Sequence, residues 1–149
     1  MKKEIVKSNI KHHDNGVITW GVDNTWVSDS ISKRGWGNGY IAIPVDHPFM
    51  QNIQEKIKPM WTKDMVKDVL KREWTQADED RKINITYDQL NEKYPIDGQE
   101  WTYSQPEEID GKQYYVFGFD TLHFWNNELN SSEDIVMSMI EGYVSVVNQ

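Results

Sequence analysis

The chain has 149 residues, with 24 acidic against 16 basic side chains, a net charge of −8 and no cysteine. Disulfides, thiolate zinc sites and thiol nucleophiles are excluded, and the negative field opposes DNA and anionic membranes as partners. One domain over 1–149 is expected, with no secretory signal and no apolar stretch of the roughly 18 residues that span a bilayer, hence a cytoplasmic protein.

In chain order, Glu4–Ile10 and Val17–Val22 are rich in β-branched residues and flank the turn-forming Asp14-Asn15-Gly16, which predicts strand, turn, strand. The glycine-punctuated segment Arg34-Gly35-Trp36-Gly37-Asn38-Gly39 leads into the apolar run Tyr40–Val45, a strand that Pro44 ends or places at an edge. Asp46-His47-Pro48-Phe49 is loop chemistry at that strand's exit. Met65, Val66, Val69, Leu70 and Trp74 recur at helical spacing, so a helix is predicted over 62–74, with Thr62 as cap and Asp68–Arg72 as an i, i+4 pair.

Residues 75–98 are polar and predict solvated irregular structure, with Ile83–Tyr87 as a peripheral strand. Trp101–Ser104 and Gln113–Phe119 are β-prone runs joined through Asp110-Gly111, which predicts a hairpin. Ser131 or Ser132 caps a terminal helix over 132–147 whose stripe is Ile135, Val136, Met139, Ile140, Tyr143 and Val147. The fold class expected is α+β: an antiparallel sheet of about four to six strands with the 62–74 and 132–147 helices packed on one face.

Two features bear on chemistry. Seven tryptophans and seven tyrosines supply large amphipathic rings, suited to a core, an interface or a stacking pocket. Asp46-His47 and Asp120/His123 each follow a β-prone run, and adjacent strand ends would unite two imidazoles and two carboxylates as acid, base or metal ligands. Arg34 beside its glycines offers a bidentate fork to a phosphate, although neither glycine fingerprint for nucleotides is present.

Gly39–Pro48, Trp101-Thr102-Tyr103-Ser104 and Val116-Phe117-Gly118-Phe119-Asp120-Thr121-Leu122-His123 together resemble a group of small proteins encoded by phages and prophages. The resemblance spans about residues 36–147 and implies an accessory protein acting in the host cytoplasm against host defence. The leading expectation is a non-enzymatic, cofactor-free and metal-free protein that binds and sequesters a nucleotide-derived immune signal between aromatic faces, with Arg34 or Arg72 neutralising phosphate. The ligand-binding set expected is Arg34, Trp36, Asn38, Tyr40, His47, Trp101, Tyr103, Asp120 and His123. Two alternatives stand beside it: a hydrolase or phosphoesterase using Asp46, His47, Asp120 and His123, and an acidic inhibitor covering a host protein. A homo-oligomer is expected from the aromatic surface.

Overall fold

The structure is a computed structural model that describes residues 7–24, 35–56, 62–81, 87–121, 125–127 and 129–149. Its strands are β1 (Ser8–His12), β2 (Ile18–Asp23), β3 (Gly37–Pro44), β4 (Tyr103–Ile109) and β5 (Lys112–Phe119). Its helices are α1 (Pro48–Lys56), α2 (Lys63–Asp68), α3 (Gln76–Arg81), α4 (Tyr87–Lys93), α5 (Glu133–Gly142) and α6 (Val144–Val147). The strands form one five-stranded sheet in the order β1-β2-β3-β5-β4. Every neighbouring pair is antiparallel, and the class is α+β. No helix among the described residues is long and apolar enough to cross a membrane.

Local chemistry explains the strand ends. Asp110 (φ 50°) and Gly111 (φ 80°) both take left-handed backbone, the twist that a two-residue hairpin turn needs, so β4 and β5 pair directly from Ile109↔Lys112 to Tyr103↔Gly118. The expected hairpin is present, and it is longer than expected, because Pro106-Glu107-Glu108 continue the strand. Pro106 is tolerated because β4 lies at the edge of the sheet.

Each strand divides its side chains between two faces. On one face Ile41, Ile43, Tyr115, Phe117 and Phe119 join Phe49, Met50 and Ile53 of α1, Leu90 of α4 and Val136, Met137 and Ile140 of α5 in the main core. Helix α5 comes close because Gly21 and Gly39 leave the room: a Cβ at Gly21 would lie 2.8 Å from Met137 Sδ, and one at Gly39 would lie 3.4 Å from Ile140 Cβ. The opposite face carries a smaller cluster of Ile18, Trp20, Val22, Ala42, Tyr114 and Val116, with Tyr40, Tyr103 and Ile109 packed against it.

The helices depart from expectation in places. Thr62 caps α2, accepting from the Met65 amide at 3.1 Å, but the helix stops at Asp68 and Lys71 has φ 55°, so Val69 and Leu70 face solvent instead of extending a stripe to Trp74. Arg72 pairs with Asp78 rather than Asp68. Within the stretch expected to be irregular, Thr75 and Asp78 close a reciprocal capping box at the start of α3. The Asp78 carboxylate accepts from the Thr75 amide (2.8 Å) and hydroxyl (2.9 Å), while Thr75 Oγ1 accepts from the Asp78 amide at 3.3 Å. Tyr87 opens α4, and the rest of the expected peripheral strand, Ile83–Thr86, lies outside the described residues, as does Glu4–Val6. Ser132 caps α5 as expected, accepting from the Ile135 amide at 3.4 Å, and the 132–147 segment is divided at Tyr143 into α5 and α6.

Candidate functional site

The sheet register builds one row of rings on the face opposite α5. Trp20 pairs with Tyr40, Tyr40 with Gly118, and Gly118 with Tyr103, so four neighbouring strands meet at one level. Three interstrand spacings carry the row across about 14 Å. The missing side chain at Gly118 is what allows this: the Tyr40 ring lies over its Cα, where a Cβ would collide with ring atoms. Trp20 and Tyr40 stack with centroids 5.6 Å apart and planes 19° apart, and Tyr103 meets Tyr40 edge-on at 5.5 Å and 88°. Both geometries are favoured by the ring quadrupoles.

Charges of opposite sign bracket the row. Lys7 Nζ sits 4.3 Å from the Trp20 ring centroid on the β1 side, a cation–π contact. On the β4 side the Tyr103 hydroxyl donates to Glu107 Oε1 at 3.1 Å. Lys7, Trp20, Val22, Tyr40, Tyr103 and Glu107 line a pocket of about 350 Å³, toward the small end of the range for small-molecule sites. Asn38 Nδ2 donates to the Tyr40 hydroxyl at 3.0 Å, and the Thr102 hydroxyl donates to Asp120 Oδ2 at 3.2 Å.

Both tyrosines are held neutral. Burial lifts the Tyr40 phenol above its ordinary value; the bond from Asn38 opposes this, and the Asp120 and Glu107 carboxylates reinforce it. Tyr103 is pushed up to about 12, first by burial and then by Glu107 through charge and hydrogen bond. Burial also raises Tyr143 in the main core. For each group the folded value lies above the ordinary 10.0, so its contribution to stability is whole below pH 10; that of Tyr103 is lost as pH rises through about 12, and Tyr40 and Tyr143 follow with the same sign. Ultraviolet titration of phenolate should therefore show a late-ionising class of tyrosines that merges with the rest when the chain is unfolded in urea.

The expected ligand set divides. Asn38, Tyr40, Tyr103 and Asp120 belong to this end of the sheet, joined by Trp20, Val22 and Lys7, and Glu107 reaches the Tyr103 hydroxyl from the Tyr114 level of the same face; these four are not in the sequence-based set. Trp36 and Trp101 belong to the other face and cannot stack a ligand beside Tyr40. Trp36 packs against the main core, and Trp101 is fully buried, its indole N–H donating to the Tyr94 carbonyl at 2.8 Å. Arg34 and His123 lie outside the described residues; their neighbours Gly35 and Thr121 are joined by an amide-to-carbonyl bond of 2.9 Å. Arg72 is committed to a bidentate pair with the buried Asp78, at 2.6 and 2.8 Å, and is not a free phosphate ligand.

His47 is a helix cap. Its Nδ1 accepts from the Phe49 amide at 3.0 Å, which places the proton on Nε2, and Nε2 donates to Asn148 Oδ1 at 2.8 Å. Pro48 then opens α1 where a loop was expected, its missing N–H costing nothing at the first helical position. Replacing His47 with alanine strands the Phe49 donor and should cost about 1–2 kcal/mol in urea unfolding, with Asn restoring part of it.

The constellation of Asp46, His47 and Asp120 does not assemble. Strands β3 and β5 are antiparallel, with Pro44 opposite Tyr114 and Gly39 opposite Phe119, so the two exits lie at opposite ends of the sheet. Five residues of strand, about 17 Å, separate those levels. The described residues hold no group of three or more side chains placed to bind a metal ion. Comparison of the chain with protein-family models, curated proteins and solved structures gives no match.

Proposed function

We propose that the Trp20–Tyr40–Tyr103 face binds a nucleotide-like small molecule without transforming it. The observation that carries this reading is the ring row bordering an open pocket of about 350 Å³, with a lysine at one end and a glutamate at the other. A flat base takes the half-buried ring surface of Tyr40 and Tyr103, with the buried Trp20 backing Tyr40 through its stack, its exocyclic amino group donates to Glu107, and a phosphate lies toward Lys7. The pocket's size favours one base with its sugar over a whole cyclic dinucleotide. Stacking contributes about 1–3 kcal/mol per base in comparable platforms, and one charge-assisted contact from the lysine adds about as much again, which places affinity between roughly 0.1 and a few millimolar.

The likeness to phage accessory proteins gives this binding a purpose: withholding a nucleotide-derived signal from host defence. The separation of His47 from Asp120 weighs against the hydrolase alternative, since an acid and a base at opposite ends of an antiparallel strand pair cannot serve one bond. Native mass spectrometry of protein purified under mild conditions, incubated with mononucleotides, cyclic mononucleotides and cyclic ADP-ribose isomers, tests the reading. A stoichiometric mass increment with unchanged ligand is expected; release of a smaller product would return the case to hydrolysis.

A further inference from the structure

A second concavity lies on the far side of the molecule from the ring row, between α5–α6 and the connection from α4 to β4. It is an open groove of about 590 Å³. The Tyr143 hydroxyl donates to the Tyr94 carbonyl at 3.0 Å, tying the helices to the connection, and a Cβ at Gly98 would lie 3.1 Å from Met139 Cε. Ile135, Met139 and Val146 give the groove an apolar floor, Val146 with 39% of its surface exposed. Asp97 and Asp134 lie among its lining residues and no lysine or arginine does; both carboxylates are exposed, and neither is paired among the described residues.

Gly142 supplies the second observation. It ends α5 and lines this groove, its φ is not in the left-handed region, and a Cβ built on it meets nothing within 4 Å. Neither backbone conformation nor packing within the chain requires a glycine there, and glycine weakens a helix relative to alanine. The requirement is met if another backbone comes to rest against that position.

We propose that this groove docks a basic amphipathic segment of another protein, its apolar side chains on Ile135, Met139 and Val146 and its cations facing Asp97 and Asp134. Charge decides the occupant: a second copy of a chain carrying −8 is repelled by the same carboxylates that attract a lysine-rich segment. The recognition mode is an apolar helix face laid in a groove, with anchors at i, i+3 and i+4 spacing.

A fluorescein-labelled amphipathic peptide of leucine and lysine, about five helical turns long, is the probe, and its leucine–glutamate counterpart is the control. Fluorescence anisotropy should show micromolar binding of the first and none of the second. Gly142→Phe, which sends a ring into the groove from a position whose Cβ meets nothing within 4 Å, should weaken binding roughly tenfold, while Gly142→Ala, which adds only that Cβ, should leave it within about twofold; circular dichroism of both variants reports fold integrity. Asp97→Asn with Asp134→Asn should weaken it comparably and flatten its salt dependence. Undiminished binding in Gly142→Phe would place the peptide elsewhere on the acidic surface and overturn the proposal. So would a wild-type dimer that Gly142→Phe converts to monomer, since that assigns the groove to a second copy.

Discussion

Replacing Trp101 with alanine lowers the free energy of unfolding by about 3–5 kcal/mol and Tm by roughly 6–20 °C. The reason is position. The indole is fully buried and touches Phe117, Phe119 and Tyr143, with ring centroids 5.9, 6.4 and 5.1 Å away. Its N–H and the Tyr143 hydroxyl converge on the Tyr94 carbonyl, and the Asn91 side chain of α4 brackets its backbone, accepting from the Trp101 amide at 2.7 Å and donating to its carbonyl at 2.9 Å. Truncation opens a cavity at the junction of α4, α5 and the sheet and removes the indole donor, while the Asn91 bracket survives. Trp101→Phe should recover more than half of the loss. Chemical denaturation monitored by far-ultraviolet circular dichroism measures both, and a loss under 1 kcal/mol would show that the ring is not part of the core.

Gly118→Ala should produce the second large effect, and it should act through Tyr40. The new methyl occupies the space of the Tyr40 ring, so either the ring leaves the row or β3 and β5 separate; overpacking of this kind costs about 1–3 kcal/mol. In a Tyr40→Ala background the methyl meets chiefly the Gly39 carbonyl oxygen at 3.1 Å, and the penalty should shrink. A double-mutant cycle should therefore return a coupling near 1 kcal/mol or more between positions that share no covalent link. Purely additive losses would mean that the ring does not rest on the glycine. On the proposed function, Gly118→Ala also weakens ligand binding, because the platform loses its middle ring, whereas Trp101→Phe leaves binding untouched.

The division of the aromatic residues shows what sequence can and cannot place. The Asp110-Gly111 hairpin and the Ser132 cap were legible because each depends on residues adjacent in the chain. Asn38 and Tyr40 share one face of the sheet because both lie within β3 two residues apart, where alternation holds. Trp36 and Trp101 were misgrouped for one common reason: each sits just before a strand, at Gly37 and Tyr103, so its direction is set by packing against helices rather than by the pleat. Trp20 and Lys7 are absent from the sequence-based set because the place of Trp20 beside Tyr40 depends on the register between β2 and β3, and that of Lys7 over Trp20 on the pairing of β1 with β2, which no local pattern specifies.

Two further discrepancies are tertiary. The charged run from Asp78 was read as a solvated surface, yet Asp78 is buried, because Arg72 folds back onto it across a capping box whose partner Thr75 is local. His47 and Asp120 were placed at neighbouring strand exits, a juxtaposition that parallel neighbours would give; antiparallel pairing of β3 and β5 sends the exits to opposite ends. What looked like a catalytic pair is a helix cap at one end of the sheet and an acceptor for the Thr102 hydroxyl at the other.

Isothermal titration of the wild-type protein and of Tyr103→Ala with a panel of purine mononucleotides and cyclic nucleotides tests the nucleotide-binding face. Tyr103 is chosen because it is half-buried at the margin of its cluster and stands on an edge strand, so its loss removes ring surface with little disturbance of the core. At least one ligand should bind at one site per chain with a Kd near or below a millimolar, weakened roughly tenfold or more in Tyr103→Ala while Tm moves by a few degrees. Absence of heat with every ligand in the wild type, or equal affinity in the variant, would contradict a nucleotide-binding face at Trp20, Tyr40 and Tyr103.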